Sequence, residues 1–219
     1  MTATDLAEPV AQPTRAERKR LETRGRIVAA TEALIRSRPL DELTIAEITD
    51  TADVGHGTFY LHFSSKHEVI VPIIHQHTAQ WDQAAQAAVR DVEDSAEVVA
   101  YSARQIGRLI VADPLYRWFL QHSGVPVEDV RQALGRFVAR DIDKGITSGR
   151  FELPQTEAAM SFLFGGIVTA MMATFEVEDS ASAIDDLAEM LLRGLGLAVA
   201  EAREIAHRPL GELDLEKTQ

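Results

Sequence analysis

Apolar residues recur at helical spacing through most of this chain, and no alternating run is long enough to suggest a strand. The first predicted helix spans about 14–37. Ile27, Thr31 and Leu34 lie along one stripe, with Ala30 and Ile35 beside it, and Pro39 ends it. A new start follows at Thr44, an N-cap with Glu47 three residues on, which together form a capping box. Ile45, Ile48 and Ala52 then define an inward face. Asp53-Val54-Gly55 breaks the pattern, and Gly55 and Gly57 bracket His56, so the backbone there is expected to bend sharply. Val54, Phe59 and Phe63 are the expected buried contacts of a second short helix. Ser65-Lys66-His67-Glu68 forms another capping box, opening a long helix over about 65–90. Further helices are predicted over 96–112, 115–122, 127–148, 155–175 and 180–206. Breaks fall at Asp113-Pro114, at Gly124-Val125-Pro126 and from Gly149 to Pro154. The predicted fold class is all-α.

The segment from Leu43 to Phe63 carries the most chemistry. Helix, tight turn and short helix is the layout of a DNA-reading helix-turn-helix. Burying Phe59 and Phe63 leaves Thr58, Tyr60, Leu61 and His62 pointing outward. Hydroxyl and imidazole groups donate hydrogen bonds to phosphate oxygens. Leu61 is suited to the thymine methyl in the major groove. Lys66 stands in a first helical turn against the dipole preference, a placement that suits a phosphate in front of it. Thr44 caps its helix and presents that helix end to a phosphate. Gly55, His56 and Gly57 complete the candidate DNA-binding set, with backbone N–H groups as the donors at the glycines.

These residues resemble the signature of the TetR family of transcriptional regulators. The resemblance rests on Thr44-Ile45-Ala46, then Ala52-Asp53-Val54-Gly55-His56-Gly57-Thr58-Phe59-Tyr60-Leu61-His62-Phe63, then Ser65-Lys66. Its specific part covers about fifty residues, from the basic helix near Arg18 to Val69. Beyond that, only length and helical pattern are similar. Two positions depart from the commonest form. Asp53 stands where the family usually has glycine in the turn, and Gly55 where it usually has serine, so a backbone N–H replaces one hydroxyl contact. The resemblance implies an N-terminal three-helix DNA-binding domain and a C-terminal helical effector-binding and dimerisation domain. It also implies a homodimer that reads a palindromic double-stranded operator, mostly as a repressor released by a ligand. Ligand-independent action and activation remain open alternatives, as does a helical adaptor that reads no DNA.

Charge distribution fits a local DNA-binding face. The net charge of the 219 residues is −12, yet between Arg15 and Arg38 eight basic residues face three acidic ones, a local balance of +5. A basic helix attracts the duplex while the acidic body limits non-specific binding. There is no cysteine, hence no disulfide or thiolate metal site, which suits a cytoplasmic protein. The expected organisation is a polar arm over 1–14, a DNA-binding domain over 15–64, a ligand-binding and dimerisation domain over 65–208, and a polar tail over 209–219.

Residues 158–175 contain no charge, long enough to raise a membrane-spanning reading. Ser161, Gly165, Gly166, Thr169 and Thr174 within it, and no flanking basic cluster, favour a helix covered by protein on all sides. The resemblance implies that the last two long helices pair with their copies in a dimer. Phe162, Phe164, Gly165, Ile167, Leu191, Leu195 and Val199 are the expected contacts. It further implies an effector pocket in the body. Trp81, Tyr101, Trp118, Phe119, Phe137 and Met171 are candidate walls, and Arg104, Gln105, Arg117 and Gln121 candidate polar anchors. Such walls suit a small hydrophobic effector with one polar end, of the acyl, lipid-like or xenobiotic kind. No cofactor is implied. Catalysis is not expected: His75 and His77 face different ways on a helix, and no H-E-x-x-H, phosphate loop, nucleophile elbow or deaminase pattern occurs.

Overall fold

A computed structural model describes residues 14–121, 135–154 and 157–211, with Gln121 described by its backbone alone. The arm over 1–13, the break at 124–126, the beginning of the helix expected from 127, and the tail from 212 lie outside the described residues. Among the described residues the chain is helical, without strands. It divides into two units, Met1–Ile73 and Ile74–Gln219.

In the first unit, α1 spans Arg15–Ile35. Thr14 caps it, with the Thr14 hydroxyl accepting from Glu17 N and the Glu17 carboxylate accepting from Thr14 N. A 3-10 turn at Leu40–Glu42 leads to α2, Ile45–Thr51, which opens on the capping box of Thr44 and Glu47. The Arg38 guanidinium holds Glu47 at 2.6 Å and, with the Thr44 bonds, lowers its carboxyl to about 2. The third helix, α3, is His56–Tyr60. Ile27, Ile48 and Phe59 are fully buried, with Leu40, Leu43 and Phe63 nearly so, and they form the small core that fixes α2 and α3 against α1. Ile45 and Val54 are half-buried.

The long helix starts later than its capping signal suggests: α4 is Ile70–Ala88. Ser65 Oγ does accept from Glu68 N, but the Glu68 carboxylate turns to the backbone N and hydroxyl of Ser64, and residues 66–69 are turns.

In the second unit, α5 (Ser95–Ala112) is central. It packs against α6 (Pro114–Gln121), α7 (Arg136–Thr147), α8 (Glu157–Thr174), α9 (Ser180–Gly194) and α10 (Val199–Ala206). Asp94 caps α5 and is clamped by Arg150, whose Nε lies 2.7 Å from Asp94 Oδ1. The core joins Val99 and Ala100 to Ile142, Phe151, Leu191, Leu192, Leu195 and Ile205. The single helix expected over 180–206 is two. Gly196 takes φ +100, a left-handed conformation that closes α9, and the freed Leu195 carbonyl accepts from Glu152 N at 3.0 Å.

Candidate nucleic-acid interface and effector cavity

The short helix α3 is anchored from below and open above. Phe59 and Phe63 stack at 5.9 Å between ring centroids, and the Arg24 guanidinium of α1 lies over the Phe63 ring at 4.8 Å. With that side fixed, Tyr60 is 52% exposed and Leu61 73%. His56 packs edge-on against Tyr60 at 5.5 Å, which orients the phenol. Thr58 is half-buried, and Thr44, Gly55, His56 and Gly57 are exposed. The Thr44 hydroxyl donates to Glu47 Oε2 at 2.8 Å and is occupied with capping. His62 is half-buried; its Nδ1 is buried without a partner, and burial first, then Arg20 and Arg24, lowers its pKa, which favours neutral imidazole.

Two expectations change here. The sharp turn does not use Gly55 or Gly57; its left-handed residue is Asp53, with φ +50. A Cβ at Gly57 would face open space, with no atom beyond its own helix backbone and chain neighbours within 4 Å. Lys66 is also reassigned. Its Nζ donates to the carbonyls of Leu40, Asp41 and Leu43 at 2.9, 2.8 and 2.8 Å. An ammonium has three protons, so its donors are spent inside the chain, pinning the 3-10 turn before α2.

In the second unit a cavity of about 90 Å³ opens among α4 to α9. Phe137 and Met171, two of the candidate walls, line it together with Phe164, and its other apolar walls are aliphatic or small, among them Val99, Ala103, Gly107 and Leu187. The remaining candidates lie elsewhere. Trp81 is buried against the Tyr116 ring at 4.6 Å, and Phe119 is buried without lining the cavity. Arg104 is bound to Asp185 and to the Arg208 carbonyl, both at 2.8 Å. Gln105 donates to Tyr101 Oη and to the Gly211 carbonyl. Arg117 lies over the Phe175 ring at 5.0 Å. Trp118 does not line the cavity, and the Gln121 side chain is outside the described residues. Among the described residues the polar lining consists of Thr78, Asp82, Ser102 and Asp141, none of which the sequence pattern singled out.

The expected dimer contacts also separate. Leu191 and Leu195 are buried in the chain's own core, and Phe164 and Ile167 line the cavity, because α8 and α9 pack inward on α5. Phe162 is 84% exposed and Val199 57%, with Gly165 half-buried. By length and composition α8 could cross a membrane, with 17% of it buried. Its inward residues Phe164 and Met171 nevertheless pack in the body of the unit.

The comparisons with known proteins agree with this arrangement. A family model described as "Bacterial regulatory proteins, tetR family" matches residues 27–71. A second, "Tetracyclin repressor-like, C-terminal domain", matches residues 94–208, more than half of the chain. No curated protein sequence matches. Among solved structures, RolR in complex with resorcinol is similar with a TM-score of 0.80 and 31% identity, over 91% of this chain and 100% of that one. RolR without ligand gives 0.76 and 29%, over 87% and 100%. Thermus thermophilus FadR in complex with lauroyl-CoA gives 0.65 and 21%, over 80% and 96%, and shares the fold. The two family models, the inward-anchored α3 and the 31% identity across nearly the whole chain together show that this protein belongs to the TetR family of DNA-binding transcriptional regulators.

Proposed function

We propose that this regulator acts as a homodimeric, cytoplasmic repressor that binds a palindromic operator and lets go of it when a small, largely apolar effector fills the cavity of the second unit. The observation that carries the DNA-reading part is the pairing of a buried Phe59 and Phe63 with an exposed Tyr60 and Leu61 over the five-residue helix α3 and the three residues that follow it. A helix so anchored has no internal use for a phenol and a leucine held in water. Tyr60, with His56, Thr58 and His62 beside it, supplies phosphate donors, Leu61 an apolar contact to base edges, and Gly57 a place where the backbone can lie close to DNA.

Five residues of recognition helix discriminate poorly alone. Two copies on a two-fold axis, reading half-sites roughly 34–36 Å apart, make a selective reader. The outward side chains Phe162 and Met172 of α8 and Met190 of α9 supply an apolar face for the second copy, with Gly165 and Gly166 allowing close approach. Effector control rests on the cavity together with the relatives: RolR is seen with resorcinol and FadR with lauroyl-CoA. The cavity volume fits a compact ring better than a long acyl chain. By linkage, DNA and effector must weaken one another's binding by the same factor.

Sedimentation with and without duplex DNA tests this reading. Dimers that bind duplex with steep salt dependence support it, and Phe162→Glu should give monomers that bind at least about ten-fold more weakly. A monomeric native chain, or a Phe162→Glu chain that stays dimeric, would remove the proposed interface.

A further inference from the structure

Asp82 and Asp141, joined through Arg140, form a polar pole in the lining of the second unit's cavity. Ser102, on α5, is 8% exposed, and its hydroxyl has no hydrogen-bond partner. A serine within a helix ordinarily bonds back to the carbonyl one turn earlier. This one instead borders the cavity, together with Asp82 of α4 and Asp141 of α7. Those two residues, 6% and 4% exposed, share the guanidinium of Arg140. Arg140 donates Nη1 and Nη2 to Asp82 Oδ2 and Oδ1, both at 2.8 Å, and Nε and Nη2 to Asp141 Oδ1 and Oδ2 at 2.8 and 2.9 Å. Gln86 adds a donor to Asp141 Oδ2 at 3.1 Å. Lys144 stands 4.0 Å from Asp141 with its side chain mostly in water.

Two features follow from this inventory. Among the described residues of the lining there is no cationic side chain, and the polar ones are the carboxylates of Asp82 and Asp141 and the hydroxyls of Thr78 and Ser102. Each ionised carboxylate has about four acceptor directions, and the bonds from Arg140 and Gln86 leave some of them free. Arg140 is engaged by both carboxylates, and Lys144 reaches only Asp141 from a side chain 61% exposed, so a negatively charged occupant meets two carboxylates in apolar surroundings, where like charges repel more strongly than in water.

We infer that this pole selects the effector. It takes a compact, mostly apolar molecule carrying hydrogen-bond donors, hydroxyl or protonated amine, and it rejects carboxylates and phosphates. The donors would complete Asp82 and Asp141, and Ser102 would gain the partner it lacks. This rests on the reading of the cavity as the effector site, and it deepens that reading by naming the ligand class.

Four probes of one size separate the possibilities: phenol, benzylamine, benzoate and toluene, titrated calorimetrically into the full chain. Phenol or benzylamine should bind at least about ten-fold more tightly than benzoate or toluene, with the better of the two distinguishing hydroxyl from amine. Ser102→Ala should weaken the preferred probe about five- to ten-fold and leave toluene unchanged. Asp141→Asn should do the same, provided its melting curve shows that it folds; the wild-type selectivity needs no variant. The control Ala103→Phe fills the cavity and should abolish binding of every probe. Benzoate binding as tightly as phenol, or a preference unmoved by Ser102→Ala, would overturn the donor rule; if Ala103→Phe still abolished binding, the effector-cavity reading would stand. Binding of none of the four, or binding indifferent to Ala103→Phe, would overturn both.

Discussion

The hydroxyl of Tyr116 lies 2.6 Å from the hydroxyl of Thr78, and both reach the carbonyl of Ile74, at 3.0 and 2.7 Å. Tyr116 is thereby tied from α6 to the start of the second unit's share of α4, with the Trp81 indole against its ring. Thr78 also borders the cavity, so within the second unit this buried pair ties α6 to the cavity-lining part of α4. Replacing Tyr116 by Phe keeps the ring and the Thr78–Ile74 bond and should cost about 1 kcal/mol of stability. Burial, more than any other cause, raises the phenol's pKa well above its ordinary value of 10.0. A raised native value means that the stabilisation is complete below pH 10 and is lost as pH rises beyond it. Thermal melts from pH 8 to 11 should therefore fall more steeply for the native chain than for Tyr116→Phe. Parallel curves would contradict this account of the pair.

Lys66 separates structure from DNA contact. Lys66→Met removes three charge-assisted bonds to the carbonyls of Leu40, Asp41 and Leu43. The expected loss is about 2–3 kcal/mol of stability in the first unit, seen in denaturant melts. The slope of log affinity against log salt should stay the same when measured on the folded fraction, because no phosphate contact is lost. A slope smaller by about one would return Lys66 to the phosphate-binding set.

Asp53 holds a left-handed backbone that glycine adopts without cost. Its carboxylate lies 3.8 Å from Arg26 Nη1, but the same guanidinium also donates to the Asp53 carbonyl at 3.1 Å, a bond that survives substitution. Asp53→Gly should leave stability within about 1 kcal/mol, since relief of strain is offset by greater freedom of the unfolded chain. It also removes a negative charge from the turn before α3. Affinity for any duplex should rise, most at low salt. Asp53→Ala keeps the strain without a polar side chain and should melt lower than Asp53→Gly.

Tyr60 and Leu61 are adjacent and should behave differently. Tyr60→Phe should weaken binding to all duplexes alike, by about 1 kcal/mol for one phosphate hydrogen bond. Leu61→Ala should alter which sequences are preferred, in the manner of a lost contact to a thymine methyl. Competition titrations with matched and single-substituted duplexes read both effects. An unchanged preference in Leu61→Ala would remove its base-reading role.

The DNA-reading unit was legible because its signals are local. The Thr44–Glu47 capping box, the Phe59 and Phe63 spacing and the break after Ala52 lie within twenty residues, and each has a direct counterpart in the structure. Even there, the fate of Lys66 was hidden, since its acceptors lie 23 to 26 residues earlier and are backbone carbonyls. The cavity was mostly hidden for a related reason. Large aromatic residues look like walls in the sequence, yet Trp81 and Phe119 bury themselves in packing, while the cavity is lined mainly by aliphatic and small residues such as Val99, Ala103 and Leu187. Arg104 read as a ligand anchor because its partner, Asp185, is 81 residues away. Ser102 carried one sequence signal that was available: a hydroxyl on the inward face of an amphipathic helix.

The most direct test of the central claim is selection of bound sequences from a random duplex pool by the purified full chain. The account predicts enrichment of an inverted repeat whose half-sites are separated by about one helical turn, bound by two copies of the chain and with its preferred sequence altered in Leu61→Ala. A pool that stays random through repeated rounds, with only weak salt-sensitive retention, would contradict it.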